Sequence, residues 1–178
     1  MEYSASSTPI VPPEVLRYLK GAPPESRQFD FLIGEWDVDV TRYQGDGSVL
    51  MRHRAGWSAK YLNEGRMIID DFKPRAPTGQ DVASIVTLRT YSVTMRRWEM
   101  TFLTALEPAM NAEFHGEYKD GEMLLEASGR NQAGNMIKNR IRFFDIEPDS
   151  FNWESRISQD DGKTWNRMVT LTARRALQ

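Results

Sequence analysis

The amino-acid sequence predicts an all-β chain, an up-and-down antiparallel β-barrel of about ten strands with a short N-terminal helix. Three observations carry this. From residue 34 onward apolar residues recur with period two, the separators between runs are short and hold Gly, Asp and Asn, and no later segment reads as a helix linking parallel strands.

The elements follow in order. Pro13 to Lys20, with Gly21 after it, begins at a proline and ends at a glycine, as a two-turn helix does. Pro23 and Pro24 break the chain, and Glu25 to Leu32 is expected to add one turn that carries Phe29, Phe31 and Leu32 toward the core. Strands are expected at Trp36–Tyr43, Val49–Leu62, Arg66–Phe72, Val82–Tyr91, Arg97–Leu103, Ala112–Lys119, Glu122–Ser128, Ile137–Phe144, Phe151–Ser158 and Trp165–Arg174. The separators, among them Gly45 to Gly47, Asn63 to Gly65, Asp120-Gly121, Asn131 to Asn135, Pro148-Asp149 and Asp160 to Gly162, suit hairpins. A long meander protects its edges best by closing on itself, which favours a barrel over a two-sheet sandwich. The longest links, 74–81 and 104–111, are expected at a rim. Residues 1–28 form an N-terminal arm and 29–178 the barrel domain.

Alternation divides the strands into faces. Met51, His53, Ala55, Trp57, Ala59 and Tyr61 share one face, and their apolar character turns it inward. The same division puts Trp98, Met100 and Phe102 inside, with Ala112, Phe114, Gly116 and Tyr118, then Ile137, Asn139, Ile141 and Phe143, then Phe151, Trp153, Ser155 and Ile157. Large aromatics mixed with Ala, Gly, Ser and a few polar groups suit a barrel that holds one small ligand, although aromatics can also fill such a core.

Composition narrows the partners. With 23 basic and 25 acidic residues interspersed, there is no basic stripe for a nucleic-acid backbone. Cysteine is absent, which removes disulfides, thiolate metal sites and cysteine nucleophiles. The longest apolar run is far short of the roughly 20 residues that cross a bilayer as a helix, and residues 1–13 lack a secretory pattern, so a cytoplasmic protein without membrane partners is expected.

Two motifs stand out. Ser158-x-Asp160-x-Gly162-x-Thr164-Trp165 resembles the Asp-box of sialidases, and its chemistry is that of a turn: the Asp side chain takes backbone N–H groups, Gly takes the positive φ and Trp packs beneath. It is expected to be structural and to say nothing of glycosidase activity. Gly34-x-Trp36, at the start of the first strand after a short helical turn, resembles the lipocalin and calycin signature. That resemblance implies that Trp36 packs at a closed end against an Arg of the last strand, where Arg175 shares the phase of Val169, Leu171 and Ala173. A guanidinium over an indole is favourable. With Phe31 to Val38, Gly65-Arg66, Tyr91 with Trp98, and Phe151-x-Trp153, residues 29 to 175 also resemble the DUF1579 group of bacterial calycin-like proteins, which implies a barrel and no particular reaction.

Two histidines remain. His115, between Glu113 and Glu117, is expected outside in solvent. His53 lies on the apolar face beside Trp57; enclosed in a cavity it is the candidate general acid or base, and otherwise a satisfied core histidine. No His or carboxylate cluster has metal-ligand spacing, and no cofactor is implied, although a lone histidine leaves haem ligation open. Of Asp70 and Asp71, alternation sends one inward without saying which.

The leading expectation is a small, largely apolar molecule contacted by Trp57, Tyr61, Trp98, Met100, Phe114 and Trp153, with His53 and Asn139 orienting its polar end. A cofactor-independent cyclase or isomerase acting on a small natural product in the same cavity is the alternative, and a filled barrel serving as an interaction module is the third. The N-terminal helix either caps the mouth or packs on a partner subunit, a possible homodimer. Entry is expected at the rim opposite Gly34 and Trp36.

Overall fold

A computed structural model describes residues 11–105, 113–130 and 133–177. Ala112, Asn131, the first ten residues of the arm and residues 106–111 of the second long link lie outside the described residues.

Helix α1 (Pro13–Leu19) and a 3₁₀ segment (Pro24–Leu32) precede ten strands: β1 (Gly34–Tyr43), β2 (Val49–Leu62), β3 (Met67–Pro74), β4 (Ile85–Ser92), β5 (Arg97–Thr104), β6 (Phe114–Lys119), β7 (Glu122–Arg130), β8 (Met136–Glu147), β9 (Ser150–Ser158) and β10 (Asn166–Arg175). Each pairs antiparallel with the next and β10 closes on β1, so the ladder has no free edge.

Several strand starts shift by one to three residues from expectation, and two of these shifts have evident local reasons. Val82 was assigned to the fourth strand, but its N–H bonds back to the Pro74 carbonyl at 2.9 Å and Arg75 bridges Asp81, so 75–84 is an extended rim link and β4 begins at Ile85. Trp165 was assigned to the last strand, but its indole N–H bonds the Gly162 carbonyl at 3.1 Å, which keeps it in the turn.

The closed end is built by the 3₁₀ segment, which inserts Phe29 and Leu32 as fully buried side chains beneath the barrel. Trp36 donates its indole N–H to the Leu32 carbonyl at 2.8 Å. The Arg175 guanidinium lies 3.8 Å from the Trp36 ring centroid and donates to the carbonyls of Ile33 at 2.6 Å and Pro148 at 3.0 Å. Gly34 has φ +120°, and a Cβ there would stand 2.6 Å from Arg175 Nη1, so glycine answers both the backbone turn and the close approach.

Helix α1 sits at this same closed end, which overturns one of its two expected places, the cap over the mouth. Arg66, in the β2–β3 turn, stacks on the Tyr18 ring and donates to the Tyr18 carbonyl, and Arg17 reaches Thr94 in the β4–β5 turn at 3.4 Å. The tether is too short to allow otherwise: only Lys20 to Pro23 separate α1 from the 3₁₀ segment that plugs the floor. The opposite rim carries the β1–β2, β3–β4, β7–β8 and β9–β10 connections and is the mouth. Among the described residues no helix is long and apolar enough to cross a membrane.

Candidate functional site: the barrel cavity

Above the aromatic plug the barrel encloses a cavity of about 430 Å³, within the range of small-molecule sites. Trp57, Met100, Phe114, Asn139 and Trp153, all expected to face a ligand, line it. Ile141, Leu171 and Val40 complete much of the apolar wall.

Three other expected residues share the inward phase but stand at different heights along the barrel. Tyr61 lies at the closed end, where its hydroxyl donates to Asp30 Oδ1 and contacts the Ser26 carbonyl at 3.2 Å; burial foremost, then Asp30, push its pKa up to about 12. Trp98 is also in the plug, edge-on to Phe29 at 4.7 Å, with its indole N–H on Gln28 Oε1 at 2.9 Å. His53 stands at the mouth, half-buried, outside the cavity lining. Arg42 Nε donates to His53 Nε2 at 3.4 Å, which leaves Nδ1 to donate to the Arg54 carbonyl at 3.1 Å, the neutral tautomer. Alternation reports which face a side chain takes and not its depth, and the 3₁₀ plug claims the lowest layer.

Asp70 is the inward member of its pair. It is 2 % exposed and lines the cavity, while Asp71 faces out to Ser84 Oγ at 2.6 Å and Lys73 at 3.2 Å. Trp57 donates its indole N–H to Asp70 Oδ1 at 2.7 Å, and Arg89 Nη1 forms an ion pair with Asp70 Oδ2.

Arg89 was not foreseen. It is 3 % exposed, on β4 in phase with Ile85 and Thr87, which line the cavity with it. Its Cζ lies 5.2 Å from the centre of the Phe29 ring and 5.9 Å from that of Phe143, so the guanidinium rests on the aromatic plug and forms the cavity floor. Burial lowers its pKa to about 9, which leaves it cationic at neutral pH. Its Nε has no hydrogen-bond partner among the described residues. A signal existed: with Ile68 and Phe72 inward, Asp70 must follow them, and a buried carboxylate calls for a cation of matching phase on a neighbouring strand. In β4, however, Val86 and Leu88 face outward while Thr87 and Arg89 face inward, the reverse of what hydrophobicity suggests.

His115 and the Asp-box turn are found where the sequence puts them. His115 faces outward and bonds Glu99 across the β5–β6 ladder at 2.5 Å. In the Asp-box turn, Asp160 Oδ1 accepts from Thr164 N at 2.9 Å and Ser158 Oγ at 2.7 Å, which holds its carboxyl down at about 2. Gly162 takes φ +90°. No group of three or more His, Cys, Asp or Glu residues suited to a metal occurs among the described residues.

With this geometry in view, comparison with known proteins is informative about architecture. No family model matches the chain, and no curated protein does. Among solved structures, Rv2717c from M. tuberculosis superposes with a TM-score of 0.60 at 12% identity, covering 88% of this chain and 99% of its own. The S-type phycobiliprotein lyase CPES from Guillardia theta superposes with a TM-score of 0.56 at 13% identity, over 88% of this chain and 99% of its own. The likeness is one of fold. The shared architecture is the closed, lipocalin-like antiparallel barrel.

Proposed function

We propose that the protein binds one small, largely apolar molecule inside the barrel. The observation that carries this is the cavity itself: about 430 Å³ of open volume walled by Trp57, Met100, Phe114 and Trp153, with polar groups that include Asp70, Arg89 and Asn139 set in that wall. An apolar chamber with sparse, placed polar groups is the general form of a small-molecule site, and a side-chain-filled barrel would lack the volume. A phycobiliprotein lyase on the same fold agrees with a ligand-handling role. The motif resemblance to the DUF1579 group is proposed as the family and brings no activity with it.

A cyclase or isomerase in the same cavity is the rival. It needs a general acid or base with a proton or lone pair free for the substrate. Asp70 is engaged on both oxygens and His53 stands at the mouth, so binding is the better reading.

Titration with the hydrocarbon 2-ethylnaphthalene, followed by Trp fluorescence, tests the proposal. Saturable one-to-one binding is expected, and it is weakened in Met100→Trp, which projects an indole into the chamber while the circular-dichroism spectrum stays that of a folded barrel. Absence of saturable binding, or undiminished binding in this variant, refutes it.

A further inference from the structure

We propose that the cavity selects ligands whose buried end is a neutral hydrogen-bond acceptor, such as a ketone, aldehyde, ester or amide carbonyl seated on Arg89, and disfavours a carboxylate in that position. This rests on the binding function proposed above and names the ligand's chemistry.

The floor supplies donors and no net charge. Arg89, one of the residues that line the cavity, carries five N–H groups; Nη1 is ion-paired with Asp70 Oδ2, and the buried Nε has no hydrogen-bond partner among the described residues. An unsatisfied buried donor costs free energy until an acceptor reaches it, so the floor is prepared for an acceptor atom. Trp57 offers no competing donor, because its indole N–H is already given to Asp70.

Charge decides which acceptor. The Arg89 cation is balanced by Asp70, both at 3 % exposure or less. A ligand carboxylate on Arg89 would add a second anion beside Asp70 in a low-dielectric space, where like charges disfavour one another. Of the other arginines around the cavity, Arg42 is at the mouth beside His53, in contact with solvent, and Arg140 and Arg156 give their guanidinium groups to Glu126 and Glu154, so they compensate little at the floor. A carbonyl takes the free N–H without importing charge. The aromatic face of the plug lies under the guanidinium, so the polar end and the apolar body of the ligand are both satisfied.

Three probes of nearly equal shape test this: 2-acetylnaphthalene, 2-naphthoate and 2-ethylnaphthalene, titrated into the full chain at neutral pH. The ketone is expected to bind about tenfold more tightly than the hydrocarbon, the worth of one hydrogen bond to a charged donor, and more tightly than the carboxylate by at least that factor. Asp70→Asn leaves the floor cationic and is expected to raise naphthoate above the ketone. The double variant Asp70→Leu/Arg89→Met removes both charges and is expected to bring the ketone down to the hydrocarbon. Naphthoate binding the native chain as tightly as the ketone overturns the proposal, as does a ketone no tighter than the hydrocarbon. Either result leaves the binding function standing if 2-ethylnaphthalene saturates. If none of the three binds, both fall together. Should Asp70→Asn fail to fold, the order of the three probes on the native chain and the double variant still decides.

Discussion

The Trp57 indole donates to Asp70 Oδ1 at 2.7 Å, and the same carboxylate answers Arg89 through its other oxygen. Three inward side chains from β2, β3 and β4 thus form one buried unit across adjacent strands. Removing one member strands another. Asp70→Leu leaves Arg89 as an uncompensated buried cation and is expected to cost about 3–5 kcal/mol in chemical denaturation, whereas Asp70→Leu/Arg89→Met is expected to recover most of that loss. A double variant no more stable than Asp70→Leu would show that the pair is not the source of the cost.

The closed end predicts a second coupling. Arg175→Ala loses the stack on Trp36 and two bonds to carbonyls, an expected cost of about 1–3 kcal/mol. Gly34→Ala forces φ +120° on a residue with a Cβ and drives that Cβ toward Arg175 Nη1. Because part of the Gly34→Ala cost is this collision, the double variant is expected to lose less stability than the two single losses summed. Strict additivity in a denaturation cycle would refute the contact.

Gly116 faces the β7 backbone so closely that a Cβ would lie 2.0 Å from the Leu124 carbonyl oxygen. Backbone cannot swing aside as a side-chain end can. Gly116→Ala is therefore expected to destabilise by about 1–3 kcal/mol, as overpacking does, and to weaken the β5–β6 ladder, which among the described residues runs from Trp98–Gly116 to Met100–Phe114. Hydrogen exchange at Glu99 and His115 reads this directly: faster exchange is expected, and unchanged protection with unchanged stability would contradict it.

Acid should act on the Asp-box turn. Asp160 is held near 2 in the folded chain by Thr164 and Ser158, below the value of about 3.9 of a free Asp. A folded-state pKa below the unfolded one means that its contribution is complete above about pH 4 and declines as pH falls toward 2. Asp160→Asn is expected to flatten the stability profile in that window. An identical acid limb in the variant and the native chain would place the acid sensitivity elsewhere.

Much of the architecture was legible because it follows from local periodicity. Ten runs of alternating residues, punctuated by turn residues at hairpin lengths, leave little but a meander, and Gly34, Trp36 and Arg175 mark which end is closed. The face assignments for Trp57, Met100, Phe114, Asn139 and Trp153 were legible for the same reason, since side chains alternate strictly about a strand. Height was not. Tyr61 and Trp98 share that phase, yet the 3₁₀ segment rises into their layer and takes their polar atoms, while His53 stands above the chamber.

By itself, then, the sequence determined the strand period and the hairpin order, both set by interactions between residues near in the chain or by a repeated pattern, and it marked the closed end through the resemblance that Gly34 and Trp36 carry. Only the tertiary structure decided that Asp70 rather than Asp71 turns inward, that Arg89 meets it, and that α1 lies beneath the floor. The first two depend on strand register, which brings residues distant in sequence within hydrogen-bond reach, and on the cost of burying a charge, which a neighbouring strand can offset; the third depends on where the 3₁₀ segment seats, since α1 is tethered to it by four residues.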